Sequence, residues 1–251
     1  MKKEIGGYFE LEDLAGKEYY PGLYKVNLGR TALLWLLESR RYSKIYLPMF
    51  LCESVVEACE QHGIQIERYR MDAELNILLS QNKMKEKECL YLVNYYGQLT
   101  DERILQYKEK YGNIIVDHTH AFFQKPLKGI DTLYSCRKFW GVSDGAYLAT
   151  DAVLSMDKPL DRSNKRMEHI LGRYEENAGA YYQEMLQNAA SYDGMEIRRM
   201  SRLTENLLGA IDYEAGKHRR EENYSILSEE LPSESVFVRV TPEGPFVSVS
   251  S

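Results

Sequence analysis

The sequence predicts an α/β fold with a mostly parallel central sheet and flanking helices. Two observations lead to this prediction. Short apolar segments alternate with amphipathic, helix-like segments as far as residue 150, which favours a parallel sheet. Within them, Ile114, Ile115 and Val116 form a run with no polar face, as is typical of a strand buried on both sides.

Caps and periodicity locate the individual elements. Strands are predicted at residues 44–47, at Ile64 and Ile66, and at residues 89–94 and 113–117. Helices are predicted at residues 31–40, 53–62 and 100–112. Gly63 suits a left-handed C-terminal cap, and Thr100 suits an N-cap.

The pattern changes after Asp151. Residues 160–230 are rich in charge and predict two or more long helices. Beyond Pro232, Val236, Val238 and Val240 alternate with other residues in the manner of a strand.

Composition excludes several classes of function. The 251 residues carry 32 Lys+Arg against 38 Asp+Glu, a net charge of −6, which argues against nucleic acid as the main partner. We expect a soluble, cytoplasmic protein, because no apolar stretch has the length of a membrane span or the form of a signal peptide. The four cysteines lack C-x-x-C spacing, so structural zinc is not expected.

Ligands of open α/β sheets bind at the carboxyl ends of the strands, and three segments are predicted there. In the first, Gly29 and Arg30 open a helix whose free amides favour a phosphate, although an ordinary turn has the same sequence. In the second, Asp117 can pair with a cationic ring nitrogen, and His120 can touch the same ligand. In the third, Lys138 lies next to a bulky apolar pair, where an amine can act as a nucleophile.

Other interpretations of these segments remain open. His118 and His120 can be metal ligands of a hydrolase, but no further ligands follow at a recognisable spacing. Asp117 can instead be a simple cap, and Lys138 a surface lysine. The order of the three segments nevertheless meets the needs of pyridoxal 5′-phosphate (PLP), which requires a phosphate site, a carboxylate for its ring nitrogen and a lysine.

Seven segments of the chain resemble those of the fold type I PLP enzymes, and among them the DegT/StrS-like sugar aminotransferases. They are residues 4–9, 29–33, 47–50, 93–98, 115–120, 135–145 and 199–204. The resemblance implies the large domain of these PLP transferases for residues 1–225, including interdomain helices. It implies the start of a truncated C-terminal domain for residues 226–251.

The resemblance also implies roles for individual residues. Lys138 matches the lysine that holds the cofactor and moves the proton, and Asp117 matches the partner of the pyridine nitrogen. His120 stands where the family usually has a glutamine that contacts the phenolic oxygen. The backbone amides of Arg30 and Thr31 and the hydroxyl of Ser135 match the phosphate site.

Three positions differ from the family pattern. Ser135 stands closer to the lysine than the family's usual phosphate serine. Cys52 stands where the family often places an aromatic residue over the cofactor ring, and Ile197 stands where an asparagine commonly reaches the phosphate of the other subunit. The function implied is amino transfer from a small-molecule donor to a keto sugar on a nucleotide, by a homodimer. The alternative within the family is a cofactor-binding or non-catalytic remnant.

Overall fold

The computed structural model describes residues 7–14 and 16–230, which form one mixed sheet with flanking helices. The eight strands are β1 (Tyr24–Val26), β2 (Lys44–Pro48), β3 (Gln65–Met71), β4 (Ile77–Leu78), β5 (Glu88–Val93), β6 (Ile114–Asp117), β7 (Asp131–Ser135) and β8 (Ala146–Ala149). The seven α-helices in the described residues are α1 (Gly29–Arg40), α2 (Glu53–Gln61), α3 (Asp101–Tyr111), α4 (Glu168–Glu175), α5 (Tyr182–Ala190), α6 (Arg202–Gly209) and α7 (Tyr213–Glu230).

The strand order is β1-β8-β7-β6-β5-β2-β3-β4. The five central strands, from β7 to β3, are parallel, and antiparallel pairs lie only at the edges. The predicted α/β class with a mostly parallel sheet is therefore confirmed. Strands β1, β4, β7 and β8 are not among the elements that the sequence pattern predicts.

Helix α1 lies against the sheet and is buried over seven consecutive residues, from Thr31 to Leu37. Its last turn is fixed by Arg40, whose Nε and Nη2 donate to the Asp131 carboxylate at 3.0 and 2.7 Å. Because Asp131 begins β7, this pair holds α1 alongside that strand. The N-terminus of the helix consequently lies at the other end of β7, where Ser135 ends the strand.

A cluster of buried aromatic side chains supports the segment that follows β6. It contains Tyr20, Phe122, Phe123, Tyr134, Phe139, Tyr147 and Tyr213. Tyr20 donates a hydrogen bond of 2.6 Å to the Phe122 carbonyl, and Tyr134 donates one of 2.8 Å to the Gln124 carbonyl. Both tyrosines thus contribute apolar area and donate hydrogen bonds to backbone carbonyl groups inside the cluster.

The helical region after residue 160 differs from the expectation of long helices. Helices α4, α5 and α6 have 8, 9 and 8 residues, and only α7, with 18, is long. One cause is the separate start of α6, where the Ser201 hydroxyl accepts from the Thr204 N–H and the buried Asp144 accepts from Ser201.

Part of the sequence-based picture lies outside the described residues. The strand predicted beyond Pro232 falls in that part of the chain. The division into domains at residue 225 stays a prediction. Among the described helices, none is long and apolar enough to cross a membrane.

Candidate functional site

Three parallel strands end side by side and define the site. In the ladder, Asp117 of β6 pairs with Val93 of β5 and with Leu133 of β7. Just past the strand ends, the Asn94 N–H donates to the Asp117 carbonyl at 2.9 Å, and the His118 N–H donates to the Leu133 carbonyl at 2.8 Å. The carboxyl edge of the sheet is thus rigid where the candidate residues begin.

Asp117 presents a buried carboxylate at this edge. Its Oδ2 accepts from the Tyr91 hydroxyl at 2.7 Å, and its Oδ1 accepts from the Thr119 N–H at 2.7 Å. Burial raises the pKa of Asp117, and the two hydrogen bonds and the nearby His120 only partly oppose this effect. A buried carboxylate of this kind gains most from a cation placed beside it.

His120 lies within electrostatic reach of both Asp117 and Lys138. Burial lowers its pKa, Asp117 opposes this, and the charge of Lys138 lowers it further. Its ring stacks on Tyr96 at a centroid distance of 5.7 Å and an angle of 23°. Its Nδ1 is buried and has no hydrogen-bond partner in the described residues. His120 is therefore a neutral, positioned imidazole with a free ring nitrogen.

Lys138 is an exposed side chain on a rigid backbone. It ends a 3₁₀ turn (Cys136–Lys138), and the Cys136 carbonyl accepts from the N–H groups of Phe139 and Trp140 at 3.0 and 2.9 Å. Cys136 and Phe139 are buried on either side of the turn and anchor it. Lys138 can therefore reach a ligand while its own backbone stays fixed.

The N-terminus of α1 meets the end of β7. A Cβ atom built on Gly29 would lie 3.9 Å from the Ser135 Cβ. The first N–H groups of a helix lack intrahelical acceptors and favour an anion. The Thr31 hydroxyl donates to the Asn27 side chain at 2.6 Å, so Thr31 has only its backbone amide to offer a ligand. The Arg30 guanidinium lies 3.6 Å from the Asp193 carboxylate.

Cys52 lies before α2, exposed, with its Sγ 3.2 Å from the Ser54 hydroxyl. In the described part of the chain no contact joins it to Asp117, His120 or Lys138. The nearest aromatic of that loop, Phe50, stacks on Tyr95.

His118 has a structural position. It is 1% exposed, its Nδ1 accepts from the Asn94 amide at 3.1 Å, and burial lowers its pKa to about 3. Within residues 7–14 and 16–230, no group of three His, Cys, Asp or Glu side chains is placed to hold a metal ion. The geometry therefore does not favour the hydrolase interpretation of His118 and His120.

Four residues at this site have no role that the sequence alone predicts: Tyr91, Tyr95, Tyr96 and Arg137. The resemblance of residues 93–98 to a family segment is the feature of the sequence that points to Tyr95 and Tyr96. Tyr96 has a positive φ of 53°, which is uncommon for a non-glycine residue and places its ring against His120.

Comparison with known proteins identifies the fold. No model of a known protein family and no curated protein matches the sequence. Among solved structures, the sugar aminotransferase CalS13 from Micromonospora echinospora matches 90% of this chain and 66% of its own, at 15% identity and a TM-score of 0.51. The chain shares its fold with a sugar aminotransferase.

Two further structures illustrate the extent of the match. The Streptococcus pneumoniae protein Spr1654 in its PLP form, assigned as a sugar aminotransferase, is similar over 82% of this chain and 59% of its own, with 13% identity and a TM-score of 0.50. The 3-amino-5-hydroxybenzoic acid synthase matches 51% of this chain at 18% identity and a TM-score of 0.39. The chain spans 38% of the length of that synthase. The fold is shared with CalS13 and Spr1654 over most of the chain, at low sequence identity.

Proposed function

We propose that this protein binds PLP at the carboxyl edge of its sheet and catalyses amino transfer. The observation that carries the proposal is the placement of three groups. A buried carboxylate (Asp117), a neutral imidazole (His120) and an exposed amine (Lys138) interact electrostatically at one strand edge. The fold shared with solved sugar aminotransferases supports the same assignment.

The residues present fit this cofactor. Asp117 is a buried carboxylate that a protonated ring nitrogen would neutralise. The unsatisfied Nδ1 of His120 is available to a ring oxygen. The N-terminus of α1 and the Ser135 hydroxyl provide donors for a phosphate. Each feature fits a different part of PLP: the ring nitrogen, the ring oxygen or the phosphate.

The protein's own groups would then act in sequence. When bound, PLP supplies an electron-withdrawing ring that stabilises negative charge on a carbon beside the amino group. Asp117 keeps the ring nitrogen protonated, and its hydrogen bonds from Tyr91 and Thr119 fix the carboxylate in place. Lys138 would hold the cofactor through its amine, and the same amine, when free, would move the proton at the substrate carbon. His120 would orient the ring through its oxygen.

The proposed substrates are an amino acid donor and a keto sugar carried on a nucleotide. Support comes from the two neighbours described as sugar aminotransferases. A second candidate, cofactor binding without efficient turnover, is favoured by Cys52, which cannot stack on a ring as an aromatic side chain would. Conversion of the bound aldehyde form to the amine form by glutamate or glutamine, in a single turnover, distinguishes the two candidates.

Addition of PLP to the purified protein tests the proposal directly. We expect a visible absorption band that borohydride bleaches, with the added mass on the peptide containing Lys138. Absence of a reducible link, or a link on another lysine only, would contradict the proposal.

We also propose a homodimer located in the cytoplasm. Helices α4 and α5 expose a group of large apolar side chains, which are Leu171, Tyr174, Tyr182, Met185 and Leu186. Such a group is typical of a surface covered by another subunit. All four cysteines are free, as in a reducing compartment. Light scattering should give twice the mass of the chain, and a monomer would refute the dimer.

A further inference from the structure

Two arginines, Arg137 and Arg166, lie against the ring of Tyr192, next to the turn that carries Lys138, and Arg30 is the third arginine of this group. The guanidinium carbons of Arg137 and Arg166 lie 4.6 and 5.1 Å from the ring centroid. Arg30, in the first turn of α1, acts on Arg137 electrostatically. Like charges gathered in this way repel one another unless anions lie among them.

Two of the three arginines have a carboxylate. Arg166 is 2.7 Å from Asp161, and Arg30 is 3.6 Å from Asp193. The Arg137 guanidinium makes no salt bridge and donates no hydrogen bond within the described residues. Among the described residues, Arg137 is therefore the one arginine of the three without a carboxylate partner.

The carboxylate that attracts Arg137, Asp144, is engaged elsewhere. Its oxygens accept from the N–H and hydroxyl of Ser201, both at 2.8 Å, and from the hydroxyl of Thr204. Asp144 is itself fully buried, as the anchor of α6. It can moderate the charge of Arg137 at a distance, but it does not satisfy the five donors of the guanidinium.

Burial makes this arrangement costly. It lowers the pKa of Arg137, and the charges of Arg30 and Arg166 lower it further, while Tyr192 and Asp144 oppose the change. An arginine that is half-buried, repelled by like charges and without a carboxylate partner among the described residues gains from a bound anion.

The position of Arg137 indicates which anion. It lies between Ser135, which borders the N-terminus of α1, and Lys138, whose charge acts on His120. Arg137 interacts with Arg30 on the α1 side. Adjacent positions on this turn can therefore serve two parts of one ligand, Lys138 the reacting end and Arg137 the end that faces the helix.

We infer that Arg137 binds the phosphate of the cofactor, so that a cation from the same chain completes the phosphate site. The inference rests on the proposed function. It adds a charged residue to the amides of α1 and the Ser135 hydroxyl. It also makes phosphate binding independent of residue 197, since Ile197 is buried in the core of its own chain.

The test compares PLP with pyridoxal, which lacks the phosphate but has the same aldehyde. The proteins are the wild type, Arg137→Met and Arg137→Lys, with Arg202→Met as a control on the exposed face of α6. Affinity is read from the absorption change, and inorganic phosphate is added as a competitor of PLP.

We expect Arg137→Met to weaken PLP binding by about 10- to 100-fold, as for loss of a charged hydrogen bond, and to leave pyridoxal binding unchanged. Arg137→Lys should be intermediate, because it keeps the charge but not the two-pronged geometry. Inorganic phosphate should compete less well in both variants, and Arg202→Met should match the wild type.

The failures are distinguishable. If the wild type forms no reducible link with either aldehyde, the proposed function is wrong. If the wild type binds PLP but Arg137→Met keeps the same ratio of PLP to pyridoxal affinity, the inference is wrong and the function stands. Should Arg137→Met fail to fold, the phosphate competition in Arg137→Lys decides: an unchanged competition constant overturns the inference.

Discussion

The Tyr91 hydroxyl donates to Oδ2 of Asp117 at 2.7 Å, across the pair of strands β5 and β6. Both side chains are buried, and burial raises the pKa of both. Tyr91 therefore remains protonated and keeps its donor on the carboxylate. The bond fixes the orientation of Asp117 but does not neutralise the negative charge of its carboxylate. A cationic ligand beside Asp117 would neutralise it.

Replacing Asp117 by Asn tests this relationship. If PLP binds as proposed, the change removes one partner of a buried ion pair, which typically costs about 3–5 kcal/mol. We expect at least 100-fold weaker retention of PLP and a stalled single turnover. Absorption titration measures the first effect, and stopped-flow spectroscopy the second.

Tyr91→Phe is the matched control for that variant. It removes the hydroxyl but leaves the carboxylate, so the loss of affinity should be well below that of Asp117→Asn. Equal losses in the two variants would mean that Asp117 acts by holding the strand ends together and not by its charge.

Replacing Lys138 by Ala should abolish the reducible link and leave the fold intact, because the side chain is exposed and supports none of the core. Lys165→Ala is a close control, since Lys165 is also exposed and lies in a 3₁₀ turn (Asn164–Arg166). Borohydride reduction followed by mass spectrometry reads the outcome. A reducible link retained in Lys138→Ala would assign the role to another lysine.

Gly145 sets the position of the lysine-bearing turn. Its φ is +120°, and a Cβ atom there would lie 3.0 Å from the Thr204 Cγ2 and 3.3 Å from the Cys136 Cβ. Its carbonyl also accepts from the Cys136 N–H at 3.0 Å. We expect Gly145→Ala to lower the free energy of unfolding by about 2–3 kcal/mol, through strain and displacement of the turn.

Gly129→Ala is a control that shows the cost of a positive φ without a packing clash. Gly129 also has a positive φ, of 76°, but no atom lies within 4 Å of the place that a Cβ atom would take there. Only the backbone cost of about 1–2 kcal/mol should appear in this variant. Urea unfolding measures both variants, and a Gly145→Ala protein no less stable than Gly129→Ala would refute the packing argument.

The sequence predicts the centre of this sheet better than its edges. Strand β6 is recognisable because residues 114–116 are all apolar, and α3 because Thr100 caps it, accepting from the Arg103 N–H. Strands β1 and β8 escape prediction because they are short and pair with each other from distant parts of the chain, as in Tyr24 opposite Leu148. Their conformation is set by pairing rather than by local pattern.

For the candidate site, the sequence offers only local signals. Asp117 follows a recognisable strand, and the order of the segments points to Lys138. The hydrogen bond from Tyr91 to Asp117 joins residues 26 positions apart, so no local sequence pattern predicts it. The lack of an acceptor for Arg137 among the described residues is likewise a property of the folded chain, because it depends on Asp144 being engaged by Ser201 and Thr204.

The buried His118 predicts how stability depends on pH. Burial lowers its pKa from 6.5 to about 3 in the folded chain, so between these values the unfolded chain binds more protons. The free energy of unfolding therefore falls as the pH is lowered through this range. At pH 5 the loss from this group is about 2 kcal/mol relative to pH 7. Urea unfolding of the cofactor-free protein at both pH values measures it.

His118→Gln should flatten this dependence while still offering an oxygen to the Asn94 amide, which now donates to His118 Nδ1 at 3.1 Å. His218→Gln, on the exposed surface of α7, is a control for the exchange of histidine for glutamine elsewhere in the chain. Asp117 works in the opposite direction, because its raised pKa favours the folded state as the pH falls, but it is common to all three proteins and cancels in the comparison. Parallel slopes for His118→Gln and the wild type would show that His118 is not the group that titrates.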